Sequence, residues 1–198
     1  MANVYTLKIT YADCDEKIWR IAQVSDNYYL CQLGYMVLAA FETLAYHLFS
    51  ISYNGVTYNL PTEFERVKPE ECLFFVQLKD MKIKVGDRLC MIYDFGCDQV
   101  FDMEVLAIEP MKKGTGRAYP KILSGQGRGI IDDVPAFELL DIINEIDRTG
   151  VSTHYFRTSL GNEIIWDYRE YDLRVQNVLL KSEIEMILEG YAAFGIYL

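Results

Sequence analysis

Between Tyr5 and Tyr11 the chain alternates, with Tyr5, Leu7, Ile9 and Tyr11 set against Thr6, Lys8 and Thr10. A period of two is what a strand with one buried face produces, so residues 5–11 are expected to form a strand. An acidic connection, Asp13 to Glu16, leads into residues 18–24, which are rich in β-branched and aromatic side chains. The two segments are predicted to pair as a hairpin. Ser25 or Asp26 then offers a cap for a helix whose apolar positions Leu30, Leu33, Val37, Phe41 and Leu44 fall three or four apart. Gly34 inside it costs about 1 kcal/mol relative to Ala. Residues 48–53 and 56–60 flank Asn54-Gly55, the dipeptide that best accepts the positive φ angles of a type I′ turn, and predict a second hairpin.

Residues 63–71 are mostly polar and contain Pro69, which suggests a surface loop. Cys72 and the apolar run 73–78 predict a strand. Gly86-Asp87 precedes another at 89–95, and after a turn at 96–98 the alternation of Phe101, Met103, Val105 and Ala107 predicts its antiparallel neighbour. From 110 to 129 there are five glycines and no acid, too irregular a composition for a regular element. Pro135 suits a helix start, Asp133 lies near the positive end of that helix dipole, and Phe137, Leu140, Ile143 and Ile146 form an apolar stripe ending near Gly150. Asp172 is placed to cap a run through Leu180, and Ser182 with Glu185 makes a capping box beside Ile184, Ile187, Leu188 and Tyr191. The expected fold class is therefore α+β: an antiparallel sheet opening β-β-α-β-β, with packed helices and a helical C-terminus.

Composition narrows the function classes. Of 198 residues, 51% are hydrophobic and 24% charged, ordinary globular values that argue against disorder. Nineteen Lys and Arg against 29 Asp and Glu give a net charge of -10, which disfavours nucleic acid unless positive charge is concentrated. It is concentrated in one place. Residues 110–131 carry five cations and no acid, namely Lys112, Lys113, Arg117, Lys121 and Arg128. Five cysteines without a Cys-x-x-Cys pair fit neither a disulfide framework nor a zinc ribbon, so reduced thiols in the cytoplasm are expected. The first eleven residues alternate rather than forming a signal, and the longest apolar run, 35–41, is too short to span a bilayer, so neither secretion nor membrane attachment is expected.

The blocks Ile18-Trp19-Arg20, Leu33 with Ala39-Ala40-Phe41, Tyr46-His47-Leu48, Tyr93-Asp94-Phe95-Gly96 and Gly125-x-Gly127 occur in an order and spacing that resemble the plasmid pRiA4b ORF-three-like proteins. Some members of that family are described as transposon passengers of resolvase type. The resemblance runs from Val4 to Ile146, and Asp172-Leu173 with Asn177 is similar to the family's C-terminal helix. It implies an α+β domain over residues 1–150, with residues 151–198 as a helical extension packed on it. It carries across no established activity. The family pattern has histidines at the positions of Gly34, Phe49 and Phe101, Trp at Gln99 and Asp at Cys97. A cysteine-bearing stretch of the family stands here as residues 129–136, keeping only the acidic pair Asp132-Asp133. Any activity that used those histidines or cysteines is not expected in this chain.

Candidate chemistry is sparse. Soft or borderline metals want clustered His and Cys, yet His47 and His154 stand far apart in sequence, so no metal and no cofactor are expected and His47 reads as a buried or capping histidine. Cys14, Cys90 and Cys97 would be nucleophiles only beside a base, and no spacing provides one. Asp94 with Asp98, and Asp132 with Asp133, are candidates for hard-cation or acid-base chemistry if the fold gathers them; beside Gly or before a helix, Asp is otherwise a turn or cap residue. Lys112, Lys113, Arg117, Lys121, Gly125, Gly127 and Arg128 are anion-binding candidates, although no phosphate-loop ending follows the glycines. Tyr53, Tyr58 and Tyr93 form a candidate aromatic patch.

The leading expectation is a cytoplasmic binding or interaction module without catalysis, taking a protein or anionic ligand at its sheet face and the 110–131 loop. An aspartate-based metal-dependent hydrolase or nucleic-acid-processing enzyme, and an accessory role in DNA transactions of mobile elements, are the alternatives.

Overall fold

The computed structural model describes residues 2–14, 16–62, 67–158 and 161–196. Asp15, and residues 63–66 of the expected surface loop, lie outside them. The alternation at the start of the chain becomes β1 (Asn3–Tyr11), whose Tyr5, Leu7, Ile9 and Tyr11 are buried. It pairs antiparallel with β2 (Trp19–Ser25), Val4 opposite Ser25 and Thr10 opposite Trp19. After α1 (Leu30–Ala40), β3 (Phe49–Tyr53) and β4 (Val56–Asn59) form the second hairpin. Asn54 and Gly55 turn it with φ of 50° and 79°, the positive pair that the type I′ turn needs. The opening β-β-α-β-β is thus as the pattern predicts. β5 (Arg88–Tyr93), β6 (Gln99–Pro110) and β7 (Lys121–Gln126) complete a seven-stranded antiparallel sheet of order β4-β3-β5-β6-β1-β2-β7.

α1 is buried all round except at Gln32. Helices of that kind lie inside a structure, and α1 is indeed enclosed between β3 and the long C-terminal helix α3 (Leu173–Ala193). Each fully buried Leu, Ile or Phe of this core contributes about 1.5–3 kcal/mol. α2 (Ala136–Thr149) ends at Gly150, whose φ of 76° provides the left-handed cap. Asp172 caps α3 by accepting from the amides of Arg174 (2.8 Å) and Val175 (3.1 Å). A hydrophobic cluster that begins with Tyr5 also takes in Phe156, Trp166, Leu180 and Tyr191 from the last third of the chain.

Several expectations are corrected. Ser25 and Asp26 do not cap α1; Tyr29 is its first cap, its amide held by Gln32 (3.0 Å), while the Asp26 carboxylate accepts from the Asn3 amide (2.8 Å). α1 also stops at Ala40, leaving Phe41 as its C-cap and Leu44 beyond it. Residues 72–78 are not a strand: only single bridges join Cys72 to Asn59 and Gln77 to Tyr29, because the buried side chains Cys72, Leu73 and Leu78 seal one end of the core without a ladder. The stretch 110–129 is not wholly irregular, since Ile122 is buried and its segment pairs with β2 as the edge strand β7. On α2 the buried face is Ala136, Leu139, Ile143 and Ile146, whereas Phe137 is 63% exposed. Ser182 starts no new helix; its hydroxyl donates to the Leu179 carbonyl within the unbroken α3. A small hairpin, β8 (Tyr155–Arg157) with β9 (Glu163–Ile165), lies in the segment where no element was expected.

Candidate functional site

Three loops at one end of the sheet bring titratable side chains together. The loop after α1 carries Tyr46 and His47, the turn after β5 carries Asp94, and the loop before α2 carries Asp132 and Asp133. His47 Nε2 lies 2.8 Å from Asp133 Oδ1 and 3.6 Å from Asp94 Oδ2. The Tyr46 hydroxyl donates to Asp133 Oδ2, and the Gly96 amide donates to Asp94 Oδ1 (3.0 Å). Asp132 accepts from the Tyr93 hydroxyl (2.7 Å) and the Leu44 amide (2.8 Å). The Tyr191 hydroxyl, reaching from α3, donates to the His47 carbonyl. Asp94 and Asp133 both hold left-handed backbone, φ 57° and 61°, which Asp tolerates better than most residues.

The electrostatics follow from these contacts. Burial raises the Asp132 carboxyl above its usual range, against the pull of the Tyr93 hydrogen bond. The Asp133 carboxyl is lowered, first by the Tyr46 hydroxyl and then by His47. Burial, followed by Asp94, raises the Cys97 thiol, so Cys97 is no activated nucleophile.

Of the four candidate aspartates, the structure gathers Asp94, Asp132 and Asp133. Asp98 is exposed and closes the turn through its amide on the Asp94 carbonyl (2.7 Å). Asp133 is not a helix cap: α2 starts after Pro135 without a side-chain cap, and the Asp133 carboxylate turns instead to Tyr46 and His47. Gln99 steadies the same loop by donating to the carbonyls of Ile131 and Val134 (both 3.3 Å). Among the other motif positions, Arg20 is wholly buried and ties β2, β7, α1 and α3 together through Ala40, Gln126 and Gln176, stacked on Tyr171 at 4.1 Å. Trp19 is half-buried and Phe95 exposed.

The five cations of 110–131 are spread out. Lys112, Lys113 and Arg117 are exposed on the connection to β7, Lys121 projects from β7, and Arg128 is engaged by Glu42 (3.3 Å) and Glu170 (3.1 Å). The glycines serve packing: a Cβ on Gly127 would meet the Lys17 carbonyl at 2.2 Å, and one on Gly125 the Tyr171 hydroxyl at 2.7 Å. Nor do the three tyrosines form an exposed patch, because Tyr58 and Tyr93 are buried and the half-buried Tyr53 donates to Asp87 (2.6 Å).

A groove of about 840 Å³ opens beside this cluster, and Leu44, Ala45 and Tyr46 form one of its walls. Val175, Leu179, Met186 and Phe194 line the α3 side, each substantially exposed, and Phe156 with Ile164 of the β8–β9 hairpin lines the other. Glu183 sits in the middle of the α3 stripe, its carboxyl raised to about 7 by burial and then by Glu42. Sequence reasoning missed the groove. The spacing of Val175, Leu179 and Met186 was a usable signal, since such a stripe that turns outward marks a second apolar face.

The sequence model of the plasmid pRiA4b ORF-3-like protein family matches residues 3–175. The chain belongs to that family. His47, Asp94 and Asp133 fall within the family match, whereas the α3 wall of the groove from Leu179 onward lies past it. Among solved structures, a protein of unknown function from Methanosarcina mazei Go1, MM3350, is similar with a TM-score of 0.65 at 19% identity, over 88% of this chain and 96% of that one. A likeness at that identity shows the fold. No curated protein matches the chain. No described helix is long and apolar enough to cross a membrane.

Proposed function

We propose that this family member is a binding module whose ligand seat is the groove between α3 and the β8–β9 hairpin. The observation that carries the reading is the uncovered apolar stripe of α3 facing a groove of about 840 Å³, within the size range of small-molecule sites. Exposing Val175, Leu179 and Met186 on α3, with Phe194 just past its end, costs solubility unless something covers them. Arg128, Arg169, Glu170 and Asp172 make one end of the groove polar, while Glu183 stands within the apolar stripe, and its carboxyl near 7 shifts readily to the ionised form beside a cation. The ligand class is therefore an elongated amphipathic molecule, its apolar body along the stripe and an amine or hydroxyl at Glu183. The sheet face is a poorer seat, since the side chains it presents at Lys8, Thr10, Arg88, Asp102 and Glu104 are polar. Free thiols at Cys31, Cys72, Cys90 and Cys97 fit work in the reducing cytoplasm.

Nile red, a neutral apolar dye, tests the seat. Its fluorescence is expected to rise with one-to-one saturation, and dodecylamine is expected to displace it at lower concentration than dodecanoate. Leu179→Asp, at an exposed position, abolishes the rise while leaving the circular dichroism unchanged. Dye binding that survives both Leu179→Asp and Met186→Asp overturns the proposal.

A further inference from the structure

His47, Asp94 and Asp133 form, among the described residues, the one group of three potential metal ligands whose ligand atoms all lie within 4.8 Å of one another. Three different loops deliver them, so the juxtaposition belongs to the tertiary fold. Ligands that share a first-row ion at about 2.0–2.2 Å stand roughly 3.0–3.5 Å apart in tetrahedral or octahedral geometry. His47 Nε2 stands 2.8 Å from one carboxylate oxygen and 3.6 Å from the other, close to that spacing on both sides.

A separate observation points to a ligand. Asp94 is only 5% exposed, and although its carboxylate also meets the Gly96 amide and the Cys97 thiol, its Oδ2, the atom turned toward His47, is buried without a hydrogen-bond partner. At 3.6 Å the imidazole is beyond hydrogen-bond reach of that oxygen. A buried carboxylate oxygen left bare costs several kcal/mol unless something satisfies it. Three carboxylates, Asp94, Asp132 and Asp133, gather here, and among the described residues His47 is the sole basic side chain in contact with them.

The surrounding hydrogen bonds have the logic of an outer shell. Asp94 uses Oδ1 on the Gly96 amide and Asp133 uses Oδ2 on the Tyr46 hydroxyl, which leaves Asp94 Oδ2 and Asp133 Oδ1 both facing His47 Nε2. Orienting the far oxygen so that the near one is aimed is how proteins fix metal-binding carboxylates. The Asp133 side chain is 62% exposed and that of His47 29%, so solvent reaches the outer side of the site.

We propose that His47 Nε2, Asp94 Oδ2 and Asp133 Oδ1 bind a divalent first-row transition ion, with the remaining coordination positions open to water. One imidazole and two carboxylates suit Mn²⁺, Fe²⁺ or Zn²⁺; Ca²⁺ demands six to eight oxygens. The site stands independently of the groove reading.

Mn²⁺ is the probe, because thiols such as Cys97 compete poorly for it. Apo protein prepared with EDTA and then freed of chelator is titrated with MnCl₂ while the free-ion electron paramagnetic resonance signal is followed. One ion per chain is expected to bind, and Zn²⁺ to displace it, as the Irving–Williams order requires. Asp133→Asn, at an exposed position, weakens binding at least 100-fold with the circular dichroism unchanged. Tyr46→Phe, which removes only the orienting hydrogen bond, weakens it about 10-fold. Should Asp94→Asn fail to fold, Asp133→Asn and His47→Gln still decide the matter. No binding at millimolar Mn²⁺, or binding equally strong in Asp133→Asn and His47→Gln, overturns the assignment.

Discussion

The ring of Phe49 occupies the space that any side chain at position 34 would need: a Cβ on Gly34 would lie 2.1 Å from Phe49 Cε2 and 2.4 Å from Cζ. The glycine inside α1 is thus a packing requirement of the β3–α1 contact, and the roughly 1 kcal/mol it costs in helix propensity is offset by that contact. Phe49 in turn packs edge-on against Tyr35 and Tyr191, at 5.9 and 5.8 Å between centroids, and the Tyr191 hydroxyl holds the His47 carbonyl. Gly34 and Phe49 are a matched small-large pair.

Gly34→Ala is therefore expected to destabilise the protein by about 2 kcal/mol or more despite the better helix former, since overpacking a filled core costs about 1–3 kcal/mol and sometimes more. Combining it with Phe49→Leu should cost less than the sum of the two single changes, because the second makes room for the first. Urea unfolding of the four proteins checks this. Additive losses would mean that the two residues do not share one volume.

Glu183 predicts a pH dependence. Its folded carboxyl, at about 7, lies above the ordinary glutamate value near 4.5, so the folded state holds its proton more tightly. The stability this contributes is complete below about 4.5 and is lost as pH rises through 7. Glu183→Gln should remove it, so that the variant gains on the wild type between pH 5 and 8 by roughly 1–2 kcal/mol, a figure reduced for the solvent that the side chain still meets. Parallel melting curves across that range are the measurement. A constant difference between the two proteins would show that Glu183 titrates as an ordinary glutamate.

Duplex DNA is expected to give no gel shift at about 50 mM salt. The net charge of -10 repels phosphate, and Arg128 is already engaged by Glu42 and Glu170. A shift that disappears when Lys112, Lys113 and Arg117 become Ala would instead support an accessory role in DNA transactions.

The strands were legible wherever one face is buried and the other wet, as in β1, or where turn chemistry is unambiguous, as at Asn54-Gly55. Residues 72–78 misled because a buried apolar run looks the same whether or not its backbone pairs, and here Cys72 and Leu73 are buried by the core with only isolated bridges. β7 was hidden because five glycines and an edge position dilute its alternation, although Gly125 and Gly127 are present to let Tyr171 and the Lys17 carbonyl approach. Asp94, Asp132 and Asp133 could be named from sequence, but their meeting with His47 could not. That meeting depends on three loops whose approach no local spacing encodes, and a histidine with no close neighbour in sequence gave no hint of two aspartates 47 and 86 positions away. The groove was legible only on its helical side, in the spacing of Val175, Leu179 and Met186, because its other wall is the β8–β9 hairpin that no local pattern announced.

Selective ¹³C labelling of the methionine methyl groups separates the possible ligand seats in one spectrum. Met186 lines the α3 groove and Met111 begins the basic connection after β6, so the two report on competing surfaces. Adding dodecylamine is expected to move the Met186 resonance in a saturable manner and to leave Met111 in place. A spectrum in which Met186 stays fixed throughout the titration, whether or not Met111 moves, would contradict the groove as the binding site.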